Sequence, residues 1–333
     1  MLLSSDMLSA CVFGKVSVTR TDGGYIFDRF MPAQKQAFDH TKERFPDLWD
    51  DYFRLNCDTD SGILLDILTD APSVTFRIAS VMPANGSDAV QADILVDGRL
   101  RRTVCGAGTY TVRLAPSAGG GTRRVSLLFP YFARLTLGGA EVPDGFTVTP
   151  APRKGLWLAY GDSITHGLRA SSPYRNYVGK LAVRSGYEIV NQANSGYVHD
   201  ARTLCPLPDG RQPDIVTVAY GINDWGRKRR EQNERDMVDF YARLTELFPS
   251  ARIFMLSPIW TTSMGDKPRE ALGGLYSMFR DVAGLYEGRV VPVDGLNLVP
   301  HDAALFSPDG VHPADGGFAY YARRLMNTVE AAP

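Results

Sequence analysis

An apolar run that stops abruptly at a glycine is the feature that most constrains this chain. Residues 156–160 have the composition of a buried strand, and Gly161, Asp162 and Ser163 follow directly. Ligands of open α/β sheets bind beyond the carboxyl ends of the strands, so this arrangement predicts a serine at a binding site. The same three residues also fill ordinary turns, and Ser163 could be the N-cap of a helix. The two roles are compatible, because a serine at a helix start benefits from the helix dipole.

The second half of the chain alternates strand-like and helical patterns. Apolar residues from Met237 to Phe248 recur at helical spacing between the third and fourth strand-like runs. The five runs are residues 156–160, 188–191, 215–219, 253–256 and 290–293. Such alternation predicts a parallel sheet that is covered by helices on both faces.

The first 150 residues have a different pattern. Short runs rich in β-branched and aromatic residues alternate with turn residues, and Asp97-Gly98 is a good two-residue hairpin signal. Residues 46–53 are aromatic and acidic and are interpreted as a short helix or a loop. The two prolines of Pro150-Ala151-Pro152 favour an extended, fairly stiff connection to the second half. We therefore predict two domains, an all-β sandwich or jelly roll over residues 1–150 and an α/β domain over residues 151–333.

Three later segments accompany the turn at Ser163. They are residues 191–196 (Asn-Gln-Ala-Asn-Ser-Gly), 221–224 (Gly-Ile-Asn-Asp) and 309–313 (Asp-Gly-Val-His-Pro). Together the four segments resemble the sequence blocks of the SGNH (GDSL-type) hydrolases, and the resemblance covers roughly residues 153–330. It implies a flavodoxin-like α/β/α sandwich with a parallel sheet and a serine hydrolase site. An all-β domain ahead of it is similar to the arrangement of certain carbohydrate esterases.

Acyl transfer by a serine needs a base that accepts its proton, a group that orients this base, and donors for the oxyanion. The resemblance assigns the nucleophile to Ser163. Of the histidines, only His312 stands in an Asp-x-x-His arrangement followed by proline. Asp309, three residues earlier, can reach the far imidazole nitrogen and fix its tautomer. Residues 308–310 also suit a plain tight turn, which is compatible with presenting Asp309.

Two further positions are predicted to supply oxyanion donors. Gly196 would offer its backbone N–H, and without a side chain it lets a substrate carbonyl approach closely. Taken alone, Gly196 would be an ordinary turn glycine. Asn223 would offer its side-chain amide, just beyond the strand-like run 215–219. The resemblance adds the backbone N–H of Ser163 as a third donor.

Other polar and aromatic residues near these segments are weaker candidates. Asp162 and Asp224 are interpreted as structural, with carboxylates that bond turn N–H groups or orient a catalytic group. His166 and His199 are interpreted as pocket-wall or surface residues. Lone aromatics ordinarily pack in the core, but those after the blocks could form an apolar or sugar-stacking wall. The candidates for substrate binding are Asp162, Tyr197, Trp225 and Trp260.

Composition excludes several classes of function. The formal net charge of −1 gives no global field for nucleic acid or an anionic membrane, so neither is expected as a partner. The basic residues 227–230 are interpreted as a solvated helix start or as a rim for anionic substrate groups. The scattered Cys11, Cys57, Cys105 and Cys205 favour neither a disulfide scaffold nor a zinc site, and we expect no metal or cofactor. We expect a cytoplasmic protein unless a signal peptide has been removed, and the oligomeric state stays open.

These observations favour a serine esterase that cleaves a short acyl group, acetyl above all, from a carbohydrate or a related alcohol. The expected partner is a small-molecule or oligosaccharide ester substrate. The reaction class rests on the residues, and the sugar rests on analogy at the level of the fold. A short-chain lipase or arylesterase and a thioesterase stay open within the class. An inactive carbohydrate-binding or scaffold protein is the alternative from another class.

Overall fold

The chain folds into three β-sheets, with most of its helical residues in the second half. The computed structural model describes residues 1–39, 45, 51–116 and 121–332. Within these residues the helices are α1 (Ser5–Cys11), α2 (Pro32–Asp39), α3 (Tyr52–Cys57), α4 (Ser163–His166), α5 (Tyr177–Arg184), α6 (Ile222–Arg227), α7 (Arg230–Leu247), α8 (Pro268–Ala271), α9 (Leu275–Gly284) and α10 (Asp315–Ala331). The strands are β1 (Val12–Phe13), β2 (Ser17–Thr21), β3 (Gly24–Asp28), β4 (Leu64–Thr69), β5 (Ser73–Pro83), β6 (Gln91–Val96), β7 (Arg99–Cys105), β8 (Gly108–Arg113), β9 (Arg123–Leu128), β10 (Ala133–Glu141), β11 (Val148–Pro150), β12 (Leu156–Gly161), β13 (Glu188–Ala193), β14 (Ile215–Ala219), β15 (Arg252–Leu256) and β16 (Val290–Val293).

Two antiparallel sheets make up most of the first half. One has the order β1-β4-β9-β6-β7 with β11 beside β4, and the other has the order β2-β3-β10-β5-β8. Buried side chains of both sheets share one hydrophobic cluster, for example Ile67 and Val125 from the first sheet and Phe76 and Leu135 from the second. The sheets therefore pack face to face, which confirms the predicted antiparallel arrangement.

The predicted hairpin at Asp97-Gly98 joins β6 to β7. Both turn residues have positive φ, 51° for Asp97 and 70° for Gly98, as a two-residue turn of the I′ type requires. Of the predicted short helix or loop at residues 46–53, residues 46–50 lie outside the described residues, and α3 begins at Tyr52.

The second half forms a five-stranded parallel sheet in the order β13-β12-β14-β15-β16. Counted along this half, the order is second, first, third, fourth, fifth, which is the flavodoxin-like topology. All five predicted strands are present, and β13 extends to Ala193. β12 is buried along its whole length, which requires cover on both faces. Helices α5 and α10 pack together, as do α7 and α9. The predicted α/β fold is thus confirmed.

The apolar core does not separate at residue 150. The cluster that surrounds the parallel sheet includes Phe30, Phe38, Phe53 and Phe132 from the first half. Pro150 belongs to β11, where it pairs with Ile67 of β4. The division into two domains stays a prediction, but the two halves share buried apolar surface. No helix in the described ranges is long and apolar enough to cross a membrane.

Candidate active site

The turn between β12 and α4 presents Ser163. A Cβ added to Gly161 would lie 2.1 Å from Thr165 Oγ1, so the turn accepts only glycine there. Asp162 is the N-cap of α4, because its side chain accepts a hydrogen bond from the Ile164 N–H at 3.0 Å. The N-cap role considered for Ser163 therefore belongs to its neighbour. Ser163 is the first helical residue, and its N–H is among the donors that a helix leaves without an intrahelical partner.

Ser163, His312 and Asp309 form a continuous hydrogen-bonded chain. Ser163 Oγ lies 2.7 Å from His312 Nε2, and His312 Nδ1 lies 3.0 Å from Asp309 Oδ2. The other carboxylate oxygen accepts hydrogen bonds from the N–H groups of Val311 and His312 at 2.9 and 3.0 Å. Nε2 thus faces the serine and Nδ1 faces the carboxylate, which is the geometry that a general base needs.

Asp309 lies in a tight turn. The Gly310 N–H donates to the Ser307 carbonyl oxygen at 2.9 Å. Gly310 has φ of 71°, and a Cβ there would lie 2.0 Å from Thr262 Oγ1, so glycine is required. The structure therefore contains both arrangements that the sequence suggested, since the turn holds Asp309 against His312.

The electrostatics of the three residues favour a neutral imidazole beside an ionised carboxylate. Burial lowers the pKa of His312 below its ordinary value, although Asp309 acts to raise it, and the charge of Arg169 lowers it further. Arg169 also donates from Nε to Asp309 Oδ2 at 3.1 Å. Burial acts to raise the pKa of Asp309, but the N–H groups of His312 and Val311 hold that pKa well below its ordinary range. In this state His312 can accept a proton at neutral pH.

The other two predicted donors follow the strands on either side of β12. Gly196 comes after β13 with φ of 78°, and its N–H has no acceptor in the part of the chain that the structure describes. Asn223 comes after β14, and its Nδ2 donates to the Tyr197 carbonyl oxygen at 3.2 Å and lies 3.4 Å from Asp162 Oδ2. Parallel neighbouring strands end at the same edge of a sheet, so Ser163, Gly196 and Asn223 lie at one edge.

The two aspartates beside these residues make the structural bonds that were predicted for them. Asp162 is 2% exposed; burial, and then the charge of Asp224, raise the pKa of Asp162 to about 7. It caps α4, contacts Asn223 and lines the recess beside Ser163, so its role in substrate binding stays a prediction beside this structural one. Asp224 is fully buried and bonds Lys228 Nζ at 2.6 Å and His199 Nδ1 at 3.2 Å. These bonds tie α6 to the segment after Gly196.

The predicted substrate contacts of two aromatic residues need correction. The Tyr197 side chain is fully buried, packs edge-on against Phe38 and Phe53, and donates from its hydroxyl to Asp200 at 2.9 Å. It is a core residue, because these rings enclose it and its hydroxyl has a partner within the protein. Trp260 is 7% exposed and donates from its ring nitrogen to the Gly265 carbonyl oxygen.

Trp225, the remaining candidate, is half-buried on α6, two residues after Asn223. His166 and His199, expected at a pocket wall or the surface, are both fully buried. His166 lies 3.1 Å from Ser195 Oγ, a second serine–histidine contact. Ser195 is 1% exposed, so this pair does not meet a substrate.

A small, mostly apolar recess lies beside Ser163. Its lining includes Asp162 and Ile164, which flank the serine, together with Ile222 and Pro258. The ring of Tyr52 lies beside Gly196, since a Cβ added to this glycine would be 3.7 Å from it. Residues of the first half therefore contribute to the surroundings of the proposed oxyanion site.

Arg227 also borders Gly196; it is the first of the basic residues 227–230, for which a rim for anionic substrate groups was one of the two interpretations. Its terminal nitrogen donates to the Gly196 carbonyl oxygen at 2.7 Å, and its guanidinium lies over the Phe45 ring. The signal in the sequence was its spacing, since Arg227 stands one helical turn after Asn223 and shares its face of α6.

Comparison with known proteins agrees with this architecture. Residues 159–320 match the GDSL-like lipase/acylhydrolase family model. A comparison with curated protein sequences gave no match. Among solved structures, a salicylyl-acyltransferase from a tetracycline biosynthetic pathway is 20% identical, with a TM-score of 0.79 over 100% of this chain and 98% of that chain.

Two further solved structures have the same fold over nearly the whole chain. A putative GDSL-like lipase from Bacteroides ovatus is 18% identical, with a TM-score of 0.71 over 99% of this chain and 97% of that chain. A family two carbohydrate esterase from Cellvibrio japonicus is 17% identical, with a TM-score of 0.62 over 97% and 96%. The resemblance to SGNH hydrolases is thereby confirmed by the match of residues 159–320 to the GDSL-like lipase/acylhydrolase family model, and the protein is an ester-hydrolysing enzyme.

Proposed function

We propose that this protein is a serine esterase that removes short acyl groups, acetyl above all, from a carbohydrate. Ser163 is the nucleophile, His312 the general base and Asp309 the residue that orients it. The observation that carries the proposal is the chain of hydrogen bonds from Ser163 Oγ through His312 to Asp309. This chain begins at the carboxyl end of β12, where α/β sheets bind their ligands.

The geometry supports a two-step acyl transfer. His312 Nε2 accepts the Ser163 proton as Oγ attacks the ester carbonyl carbon, and the imidazolium then protonates the leaving alcohol. Asp309 stays ionised and stabilises the imidazolium. A water molecule, deprotonated by the same nitrogen, then releases the acyl group from Ser163. The N–H groups of Ser163 and Gly196 and the Asn223 amide would stabilise the oxyanion of both tetrahedral intermediates.

The preference for a short acyl group rests on the recess beside Ser163. Its walls include both chain neighbours of the serine, Asp162 and Ile164, and apolar residues such as Ile164 and Ile222 dominate them. A methyl group fits such a recess, whereas a long acyl chain would have to leave it. A short-chain lipase or arylesterase and a thioesterase differ from this proposal in the leaving group and are tested with it.

The assignment of a carbohydrate rests on fold similarity to the Cellvibrio japonicus carbohydrate esterase. The half-buried Trp225 beside Asn223 supports it, because an aromatic face stacks well on a sugar ring. The inactive binding protein is a weaker proposal, because the hydrogen-bonded chain at Ser163 is complete.

A second candidate is acyl transfer to an alcohol other than water. The salicylyl-acyltransferase matches the whole chain with a higher TM-score than the carbohydrate esterase, 0.79 against 0.62. The same acyl-enzyme serves both reactions, since an alcohol can take the place of the water that attacks it.

Hydrolysis of p-nitrophenyl acetate, butyrate and octanoate by the wild-type protein and by Ser163→Ala tests the mechanism. We expect Ser163→Ala to fold and to lose about 10³-fold or more in kcat. Wild-type activity in this variant would refute the assignment of the nucleophile. A panel of acetylated sugars and an acetyl thioester, followed by mass spectrometry, then identifies the leaving group.

Adding an alcohol that can accept the acyl group to the same reaction separates hydrolysis from acyl transfer. A new ester as the main product would favour the acyltransferase, and free acetate would favour the esterase.

A further inference from the structure

Arg29 is a fully buried cation that follows β3. Its Nε donates to the Thr59 carbonyl oxygen at 2.9 Å, and one terminal nitrogen donates to the carbonyl oxygens of Asn191 and Ala193 at 2.8 and 2.7 Å. The second terminal nitrogen donates to the carbonyl oxygen of Asn56 and to Thr59 Oγ1. A buried guanidinium is costly unless its N–H groups are bonded, so this set of acceptors is held in a definite geometry.

Two of the acceptors lie on the free edge of the parallel sheet. β13 is the first strand in the sheet order, and its neighbour is β12. Asn194 donates its N–H to the Gly161 carbonyl oxygen and therefore faces β12. Backbone groups of alternate residues point to opposite sides of a strand, so the carbonyl groups of Asn191 and Ala193 point away from β12. Arg29 supplies the donors that an edge strand otherwise lacks.

His166 connects the same cation to the loop that carries Gly196. A terminal nitrogen of Arg29 lies 3.2 Å from His166 Nε2, and His166 Nδ1 lies 3.1 Å from Ser195 Oγ. A guanidinium only donates, so Nε2 is the acceptor and the ring proton is on Nδ1, the nitrogen that faces Ser195 Oγ. The ring also has a hydrogen bond to the backbone of Tyr131. Burial, and then the charge of Arg29, lower the pKa of His166 well below its ordinary value, so the ring is neutral.

The contacts of Arg29 thus reach both sides of the proposed site. His166 is the last residue of α4, which begins at Ser163. Ala193 ends β13, three residues before Gly196. We propose that Arg29 is a positioning residue for the oxyanion site. Arg29 holds the end of β13 directly, and it holds the loop at Ser195 through His166. The Gly196 N–H then faces the carbonyl group that Ser163 attacks. This inference rests on the proposed function.

The charge of Arg29 is not neutralised by a neighbouring ion. No carboxylate lies within ion-pair distance of it among the residues that the structure describes. Burial raises the pKa of Asp60, a carboxyl group whose charge acts on Arg29, to about 8. Burial lowers the pKa of Arg29 itself to about 10, which leaves it protonated at neutral pH. An apolar side chain would fill the same space without the free-energy cost of burying a charge. The carbonyl groups at the strand edge, however, require hydrogen-bond donors, which Arg29 provides.

The test compares Arg29→Lys with Arg153→Lys on p-nitrophenyl acetate. Lysine keeps the charge at position 29 but loses the planar fork that reaches several acceptors at once. Arg153 is a matched control, because its side chain is 8% exposed and pairs with Asp66. Arg153 precedes the amino end of β12, whereas Ser163 follows the carboxyl end of that strand. The measurements are kcat, KM and the melting temperature of each variant.

We expect Arg29→Lys to lose about 10²-fold in kcat, as for a misplaced catalytic group, with KM changed by less than about twofold. Arg153→Lys should lower the melting temperature and leave kcat within about twofold of the wild type, because a stability effect alone does not change kcat. Equal effects on kcat in the two variants would overturn the inference and leave Arg29 with a purely structural role.

If Arg29→Lys is not recovered folded, Ser195→Ala decides. This variant removes only the hydroxyl through which His166 contacts the loop at Ser195, and we expect it to lose about 10-fold in kcat with KM unchanged. A wild-type kcat in Ser195→Ala would overturn the inference. Wild-type protein without Ser163-dependent hydrolysis would instead refute the proposed function, and with it the positioning role.

Discussion

His312 and His166 are identical side chains whose surroundings give them opposite tasks. The His312 side chain is 15% exposed, faces Ser163 through one nitrogen and is bonded to an ionised carboxylate through the other. His166 is fully buried, stacks on Phe132, and accepts from Arg29. The first is therefore suited to exchange a proton during a reaction, and the second to keep its proton in one place.

The lowered pKa of His312 predicts the pH dependence of the enzyme. In the proposed mechanism neutral His312 is the base, so kcat/KM should fall as the pH drops through its pKa, with a midpoint below the ordinary value of about 6.5. Arg169 contributes to the lowering, so Arg169→Met should raise this pKa and move the midpoint to higher pH. Arg175→Met, another exposed arginine nearby in sequence, is the control. A midpoint that stays in place or falls in Arg169→Met would contradict the prediction.

The proposed role of Asn223 predicts an effect on kcat alone. Asn223→Ala should lose about 10²–10³-fold in kcat with little change in KM, because an oxyanion exists only after attack on the carbonyl. Asn223→Asp is a useful companion, since it keeps the size but replaces a donor by a negative charge. Steady-state kinetics on p-nitrophenyl acetate measures both. A change confined to KM would indicate ordinary substrate binding instead.

At the scale of elements, the site depends on three tight strand-to-loop connections at one edge of the sheet. β12, β13 and β14 are neighbours, so the segments that follow them converge although they are distant in the chain. Each connection contains a residue that the backbone geometry demands, such as Gly161 with its close approach to Thr165 and Gly221 with φ of 129°.

Gly161→Ala should therefore be destabilising. The added methyl group would overlap Thr165 Oγ1 and push α4 away from β12, at a cost of about 1–3 kcal/mol. Because α4 carries Ser163, kcat should fall as well. Gly284→Ala, in α9 and with nothing within 4 Å of the new methyl group, should be neutral or stabilising by up to about 1 kcal/mol. Thermal unfolding of both variants tests this, and equal melting temperatures would refute it.

At the scale of the whole molecule, the first half is part of the environment of the site. Arg29 bonds the end of β13, Phe38 and Phe53 enclose Tyr197, and Tyr52 borders Gly196. The antiparallel sheets hold these residues in place, because β3 leads directly to Arg29 and β4 follows α3.

A fragment that begins at Arg153 should consequently lose activity on both p-nitrophenyl acetate and acetylated sugars. It keeps Ser163, His312 and Asp309 but loses Arg29 and exposes the apolar surface that the first half covers. Poor solubility is expected for the same reason. Expression of the fragment, with kinetics on both substrates, is the measurement. A soluble fragment with full activity would show that the first half is an appendage.

Local patterns predicted the strands of the parallel sheet and the turn at Ser163. Runs 215–219 and 290–293 coincide with β14 and β16, because strand formation there follows from consecutive apolar residues bounded by turn residues. Asp309 and His312 could be paired from their spacing, because three residues across a turn bring a carboxylate to an imidazole. The resemblance of the four segments to SGNH hydrolases supplied the catalytic role of each residue.

Only the tertiary structure decided which side chains are buried and what they bond. Asp162 and Tyr197 were candidates for substrate contact, yet one caps α4 and the other packs in the core. Arg29 meets Asn191, more than a hundred residues away, through backbone carbonyl groups on a strand edge. The sequence alone therefore specified the strands of the parallel sheet, the turns and the pairing of Asp309 with His312, which depend on near neighbours. The assignment of Ser163 as their partner came from the resemblance to SGNH hydrolases. Long-range contacts of this kind have no periodicity along the chain, and they exist only once the sheets are paired and packed.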